Sequence, residues 1–331
     1  MHKKNRTWPL RLWIVFLLAC LFYEPVFYFF QLGKGQISIL WNTESIDKIL
    51  HSPSESDSVK KNLMLIREIY AFGTKQLGLS DKGAYQNYYD QKGKPVLWVL
   101  TVCKPYSIEP ETWTFPIAGT VSYKGYFNKH SGLVEMTRWK SMGYDASLEE
   151  VYAWSTLGWF KDPVLSEMLH KHPGELANTL LHEMTHATIY KSGDIEFNEN
   201  IASFVGDKGA EAFLIAKYGK DSEWLITYRK LVKRRKDYSE IVLRQAIELD
   251  QLYKSARNID AKSKLSFKKA FMMKALNELN TFRKIPLLAS DLNNCYYADV
   301  NRYRNKQDIF DRLLQKNYSG QLRAFIEFYK K

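Results

Sequence analysis

One seven-residue segment, Leu181-His182-Glu183-Met184-Thr185-His186-Ala187, constrains this chain more than any other. It reads H-E-x-x-H. Pro173 and Gly174 precede it, Gly193 comes after it, and Leu176, Leu180, Met184 and Ala187 recur at helical spacing between them. That punctuation and period predict a helix over about 175–190 with one side turned to a core. Residues four apart lie one above the other on a helix, so His182 and His186 present two imidazoles to a single metal ion. Glu183 then stands beside the ion's open position, where it can take a proton from water. Chance produces this pattern on the order of once in a hundred chains of such length and ordinary composition. The plain alternative is a helix carrying two exposed histidines and an unrelated glutamate.

The ion implied is zinc. Catalytic zinc takes three protein ligands and keeps one position open. The metzincin continuation is absent after His186. A different block, Phe197-Asn198-Glu199-Asn200-Ile201-Ala202, stands downstream of it. Asn198 is a good N-cap and Phe197 a staple, so Glu199 is expected in the first turn of a helix over 199–218. A stripe of small residues (Ala202 or Ser203, Gly206, Gly209 or Ala210) lets that helix approach the first closely. Glu199 is therefore the expected third ligand, with Glu196 and Asp194 as fallbacks. Its plain alternative is a carboxylate favouring the helix dipole, and the two roles are compatible. His170 and His172, two apart across a Pro-Gly break, are expected as a surface pair.

At the N-terminus, Lys3, Lys4, Arg6 and Arg11 precede the apolar run Leu12 to Tyr23, and Val26 to Phe30 resumes it after Glu24-Pro25. This is the pattern of an export signal or membrane anchor, expected over residues 1–32, with a metallopeptidase-sized domain over 33–331. The uninterrupted run is short against the ~20 residues of a spanning helix. Leu17-Leu18-Ala19-Cys20 is a loose lipobox, so cleavage, anchoring and lipidation of Cys20 all stay open, with a buried N-terminal helix as the plain alternative. In each of the first three cases the bulk of the chain lies outside the cytoplasm. Of the three cysteines none forms a CxxC, which excludes a thiolate zinc site; pairing of Cys103 with Cys295 stays open.

The net charge of +12 brings no nucleic-acid motif, so nucleic acid is not an expected partner. The densest basic run, Lys230 to Lys236, reads as a solvated helix face, with an anionic membrane surface as the second reading. Along the rest of the chain, residues 51–60 read as a Ser-rich loop and Asn62 to Leu77 as a helix. Pro95 to Val102 reads as a buried strand, Gly119 to Phe127 as a bent strand, Val134 to Met142 as a helix and Val151 to Trp154 as a short strand. From Pro163 onward helices are expected at about 164–171, 175–190, 199–218, 222–256, 262–282, 306–316 and 320–329. The pair within 222–283 forms a helical hairpin. The fold class is α+β, a small N-terminal sheet with a mainly helical C-terminal half.

H-E-x-x-H succeeded by N-E-x-x-A resembles the gluzincin arrangement of thermolysin-like peptidases. A nearer resemblance is to the bacterial putative aminopeptidase family of exported or lipid-anchored zinc proteins. It is carried by residues 115–119, Val121-Ser122-Tyr123-Lys124-Gly125-Tyr126-Phe127, the 153–160 segment with Asp162-Pro163, the two zinc motifs, and Leu292-Asn293-Asn294. The resemblance implies a zincin-like metallopeptidase of the bacterial cell envelope, with one Zn2+ and a peptide substrate. Two departures stand out. The acid four residues after the ligand glutamate in thermolysin-like enzymes is Ser203 here, and Asp207 is the nearest acid on that face. The G-x-M-x-N exopeptidase motif is missing as well.

Tyr123, Tyr126 and Tyr303 are the candidates for a donor to the oxyanion, against plain packing roles for each. Residues 155–159, starting at Ser155, are candidates for a cleft wall. The 119–127 strand can pair with an extended peptide. A catalytically idle zinc protein that binds peptides or partners is the rival reading, and a membrane-surface protein using the basic helices is a third.

Overall fold

The computed structural model describes residues 28, 30–115, 119–152, 161–298 and 307–330. The chain divides into two compact units, Met1–Asn42 and Thr43–Lys331. In the first, residues 30–41 form a helix (α1). No described helix is long and apolar enough to cross a membrane. The proposed signal segment, Cys20 included, falls on residues that are not described, apart from its last few.

The second unit is α+β. It opens with β1 (Glu44–Ser45), α2 (Ile46–His51) and α3 (Asp57–Lys75). The Ser-rich segment contributes more than a loop: Ser56 caps α3 by accepting from Val59 N. Leu63, Ile66 and Ile69 then fall on one fully buried face. Three small sheets come next. β2 (Asn87–Tyr89) pairs antiparallel with β1 and parallel with β8 (Val164–Leu165). β3 (Leu97–Cys103) lies between β6 (Lys124–Tyr126) and β7 (Asp145–Val151), antiparallel to both. β4 (Trp113–Phe115) and β5 (Gly119–Val121) form the third.

Two sequence expectations change here. The bent strand over 119–127 is two strands in two sheets, because the chain turns at Ser122-Tyr123 between β5 and β6. Of the strand expected at 151–154, Val151 closes the earlier strand β7, Tyr152 is not in it, and residues 153 and 154 lie outside the described residues. Asp-Ala-Ser-Leu-Glu-Glu-Val has little strand propensity, yet it pairs residue for residue with β3 from Leu97↔Val151 to Cys103↔Asp145. Between them α4 (Lys129–Ser141) packs on the sheet, closely at Gly132, where a Cβ would stand 2.9 Å from Leu148 Cδ1.

The C-terminal half is helical. A helix expected at 164–171 is instead β8 and then a 3-10 turn, Ser166–His170. Then come α5 (Pro173–His186), α6 (Ile195–Tyr218), α7 (Glu223–Ser255), α8 (Ala261–Asn280), residues 294–298 (α9), α10 (Gln307–Tyr318) and α11 (Leu322–Tyr329). α7 and α8 are the expected hairpin, packed through Val242, Ala246, Leu249, Ala275 and Leu279.

The family-like Leu292-Asn293-Asn294 block is a structural staple. Fully buried Asn294 accepts from Tyr253 OH (2.6 Å) and donates to Lys104 O (2.8 Å) and Pro105 O (3.1 Å). Its own N–H donates to Asp145 Oδ2 at 2.9 Å. One residue, through its side chain and its backbone N–H, thus ties α7, the end of β3 and the start of β7. Cys103 and Cys295 lie beside this staple as free thiols in one buried cluster. Cys295 Sγ reaches Thr101 O at 3.3 Å, so the thiol spans the sheet without a disulfide.

Candidate metal centre

The site rests on α5 and α6, and local chemistry fixes both starts. α5 opens with Pro173, whose missing N–H costs nothing in a first turn, and His172 caps it by accepting from Gly174 N at 3.1 Å. His172 also lies against Trp224, with ring centroids 5.1 Å apart, so it belongs to the packing of α5 on α7 rather than to a surface pair. His170 is exposed. α6 begins one turn earlier than its sequence suggests. The cap is Asp194, which accepts from Phe197 N at 3.0 Å. Asn198 is buried instead and bridges Lys191 through its N–H and its carbonyl, both at 2.8 Å. This clasp closes the short connection after α5, so Glu199 enters from the second turn of α6. Of the two fallback ligands, Asp194 is the cap and Glu196 lies in the first turn.

The small-residue stripe does what its pattern requires. A Cβ on Gly206 would come within 2.9 Å of Asn178 O and 3.2 Å of His182 Cβ. One on Gly209 would meet Leu181 Cδ1 at 2.9 Å. At the other end of α5, a Cβ on Gly174 would fall 2.4 Å from the Tyr228 ring. From the opposite side Gly73 of α3 admits Leu181 and Met184. The helix with the motif is therefore approached closely at glycines on three sides, most rigidly at Gly174 and Gly206, where a ring and a backbone carbonyl occupy the place of a Cβ.

This packing brings His182, His186 and Glu199 together, one ligand atom each, all within 4.8 Å of one another. The two Nε2 atoms are 3.1 Å apart. Glu199 Oε2 stands 3.4 Å from His182 Nε2 and 3.5 Å from His186 Nε2. Donors held ~2.0–2.1 Å from a tetrahedral zinc are separated by ~3.3 Å along each edge. The donor set, two imidazole nitrogens and a carboxylate, and its spacing both fit such an ion. Burial alone would lower the His186 pKa and raise that of Glu199. Their contact wins in both: His186 sits above its ordinary value and Glu199 well below the usual carboxylate range.

Asp207, the acid nearest Ser203's position, holds the framework behind α5. Its carboxylate accepts from Asn178 Nδ2 (2.7 Å), Arg235 (3.0 Å) and Tyr228 OH (3.4 Å). Asn178 lies one turn before His182, and its carbonyl is the atom pressed against Gly206. Arg235 is thus drawn out of the basic run to brace the site helices.

Glu183 opens into a narrow cleft lined by Tyr70, Ser80, Lys82, Tyr85, Asp162 and Met184, with a free volume of about 10 Å³. That is room for about one water. Tyr123 and Tyr126 are not on this wall. Tyr126 is buried in β6, where its ring packs on Gly132, and Tyr123 lies in the turn before it. Tyr303 and Ser155 lie outside the described residues. Tyr85 takes the tyrosine's place in the cleft. It is buried, its N–H donates to Asp162 O (2.7 Å), and its φ of 59° is a left-handed conformation that a bulky residue rarely adopts. Burial first, then the charges of Glu183 and Asp162, push its phenol well up, so the hydroxyl stays a donor. Ser80 N donates to Thr188 Oγ1 at 2.9 Å and pins this loop to the end of α5. The sequence carries no signal for Tyr85: it is one of three tyrosines in the 85–89 stretch, and nothing in their spacing singles it out.

The family model described as "Putative aminopeptidase" matches residues 27–331. The chain belongs to that family, and peptide hydrolysis is the activity that description carries. No curated protein and no solved structure matches it.

Proposed function

We propose that this protein is a zinc-dependent metallopeptidase of aminopeptidase type, with a zincin-like architecture, acting on peptides in a bacterial cell envelope. The observation that carries the zinc reading is the triangle of donors, with sides of 3.1, 3.4 and 3.5 Å on two adjoining helices. His182, His186 and Glu199 hold the ion. A bound zinc supplies Lewis-acid polarisation and brings the pKa of water to ~7. Glu183, next to the first ligand and open to the cleft, takes the water's proton and delivers it to the leaving amine. Tyr85 keeps its proton beside Glu183 and donates to the charge developing on the substrate carbonyl oxygen. Tyr70 backs it edge-on, with centroids 6.1 Å apart, and donates to Asp81 Oδ1 at 2.6 Å. The cleft beside Glu183, walled by Asp162, Met184 and Lys82, has room for about one water, the attacking nucleophile. The positively charged apolar N-terminus is the proposed route to the envelope.

The test is zinc content with peptide-library hydrolysis. Wild type should carry near one zinc per chain and cleave. Glu199→Ala should lose the zinc, and Glu183→Gln should keep it without cleaving. A wild type that takes up no zinc on reconstitution would sink the metal reading. If Glu183→Gln cleaved as fast as wild type, the mechanism would be wrong.

A further inference from the structure

Most of the basic run named by the sequence is matched by partners, largely at the surface. Arg235 is held by Asp207, Arg234 donates to Phe282 O, Lys233 pairs with Asp237, and Lys236 with Asp308. Exposed lysines without such partners lie one helix further on, along α8. Along α8 only Ala275 and Leu279 are buried. The opposite, solvent-facing rows carry Lys262, Lys269 and Lys274 together with Met273 (64% exposed). The acid of α8, Glu278, is occupied by Arg244 and Gln245. Past its end the chain runs Phe282-Arg283-Lys284-Ile285-Pro286-Leu287-Leu288, with Ile285 77% and Leu288 65% exposed. No acid stands between Asn280 and Ser290.

A solvated charged face alternates cations with anions and keeps branched aliphatics inward. This one pairs unopposed lysines with aliphatic and thioether side chains standing in water. Lysine beside exposed Ile, Leu and Met matches a boundary where anionic headgroups overlie hydrocarbon. A folded protein partner would need acids facing the lysines and a rim to cover Ile285. A bilayer supplies both at once.

We propose that α8 and the 281–288 loop form a docking surface for an anionic lipid bilayer. Ile285 and Leu288 enter the headgroup–acyl boundary, and Lys262, Lys269, Lys274 and Lys284 face the phosphates. This surface is independent of the metal reading.

The test uses the full chain carrying Cys20→Ser, so that Cys103 and Cys295, both buried, do not label. An environment-sensitive fluorophore is attached at Leu288→Cys and, in a separate protein, at Met64→Cys, which is 55% exposed on α3. With vesicles of phosphatidylglycerol and phosphatidylcholine the 288 probe should shift to the blue, and with phosphatidylcholine alone it should not. The shift should fade between about 0.1 M and about 0.5 M salt. The 64 probe should not respond. Replacing Lys262, Lys269 and Lys274 by Gln should weaken the 288 response about a hundred-fold in lipid concentration, at ~1 kcal/mol for each lysine near the surface. Three results would overturn the proposal: a 288 probe that stays water-like on vesicles the chain has bound, an equal response to both lipids, or a shift without lipid that grows with protein concentration, which would mean a second copy covers the face.

Discussion

The helix pair α5–α6 and the hairpin α7–α8 are both antiparallel helix pairs, yet they are held together by opposite means. The first is closed at glycines, with Asn178 O pressed where a Cβ would stand at Gly206, Leu214 at Gly174 and Leu181 at Gly209. The second is joined by an ordinary apolar seam through Val242, Leu249 and Leu279, and its outer face is left to lysines and exposed aliphatics. A pair that must place three donors to a few tenths of an ångström has no room for tolerance. A pair that only braces and presents a surface can vary freely.

That contrast can be broken most sharply at Glu183. Glu183→Gln should lower peptide hydrolysis on the order of a thousand-fold or more, with stability and zinc content unchanged; matched activity and metal assays check it. Next come the glycines. Gly174→Ala and Gly206→Ala should each cost about 1–3 kcal/mol in urea unfolding, because Tyr228 and Asn178 O must move. Gly206→Ala should also lower zinc content, since the new methyl would press on His182 Cβ, whereas Gly174→Ala should spare it. The bracing of one pair by the other is probed by Asp207→Ala, which leaves Arg235 without its nearest partner. About 1–2 kcal/mol should be lost, less than for a fully buried pair because Arg235 is partly solvated. On the hairpin face, Ile285→Ser should change stability by less than about 0.5 kcal/mol.

The smallest effect is alkaline. Burial and the bond to Asp81 raise the Tyr70 phenol to about 12, so the folded state binds its proton more tightly than the unfolded chain, which releases it near ~10. The stabilisation is complete below the unfolded value and is lost as pH rises through about 12. Comparing unfolding of wild type and Tyr70→Phe across that window should show the difference shrinking with pH.

The amino-acid sequence by itself determined the elements whose signals are local. Periodicity gave α3, α5, α7 and α8, because Leu63–Ile69 and Leu176–Met184 repeat at a period no strand can use, although α3 starts five residues before its expected Asn62, at the Ser56 cap inside the expected loop. The i, i+4 rule gave the bite of His182 and His186, and the spacing of small residues pointed to Glu199. The tertiary structure decided what depends on partners far along the chain. β7 is a strand only because β3 lies beside it, against the propensity of Ser147, Glu149 and Glu150. Asn198 gave up its expected cap to clasp Lys191, since Asp194 reaches Phe197 N first. Arg235 left the charged run for Asp207, and Tyr85, with no periodic mark at all, reached Glu183 because a strained turn and the Asp162 carbonyl put it there. Helix signals are written within one turn of chain, whereas the inner wall of a cleft is assembled from segments about a hundred residues apart, whose meeting no local pattern encodes.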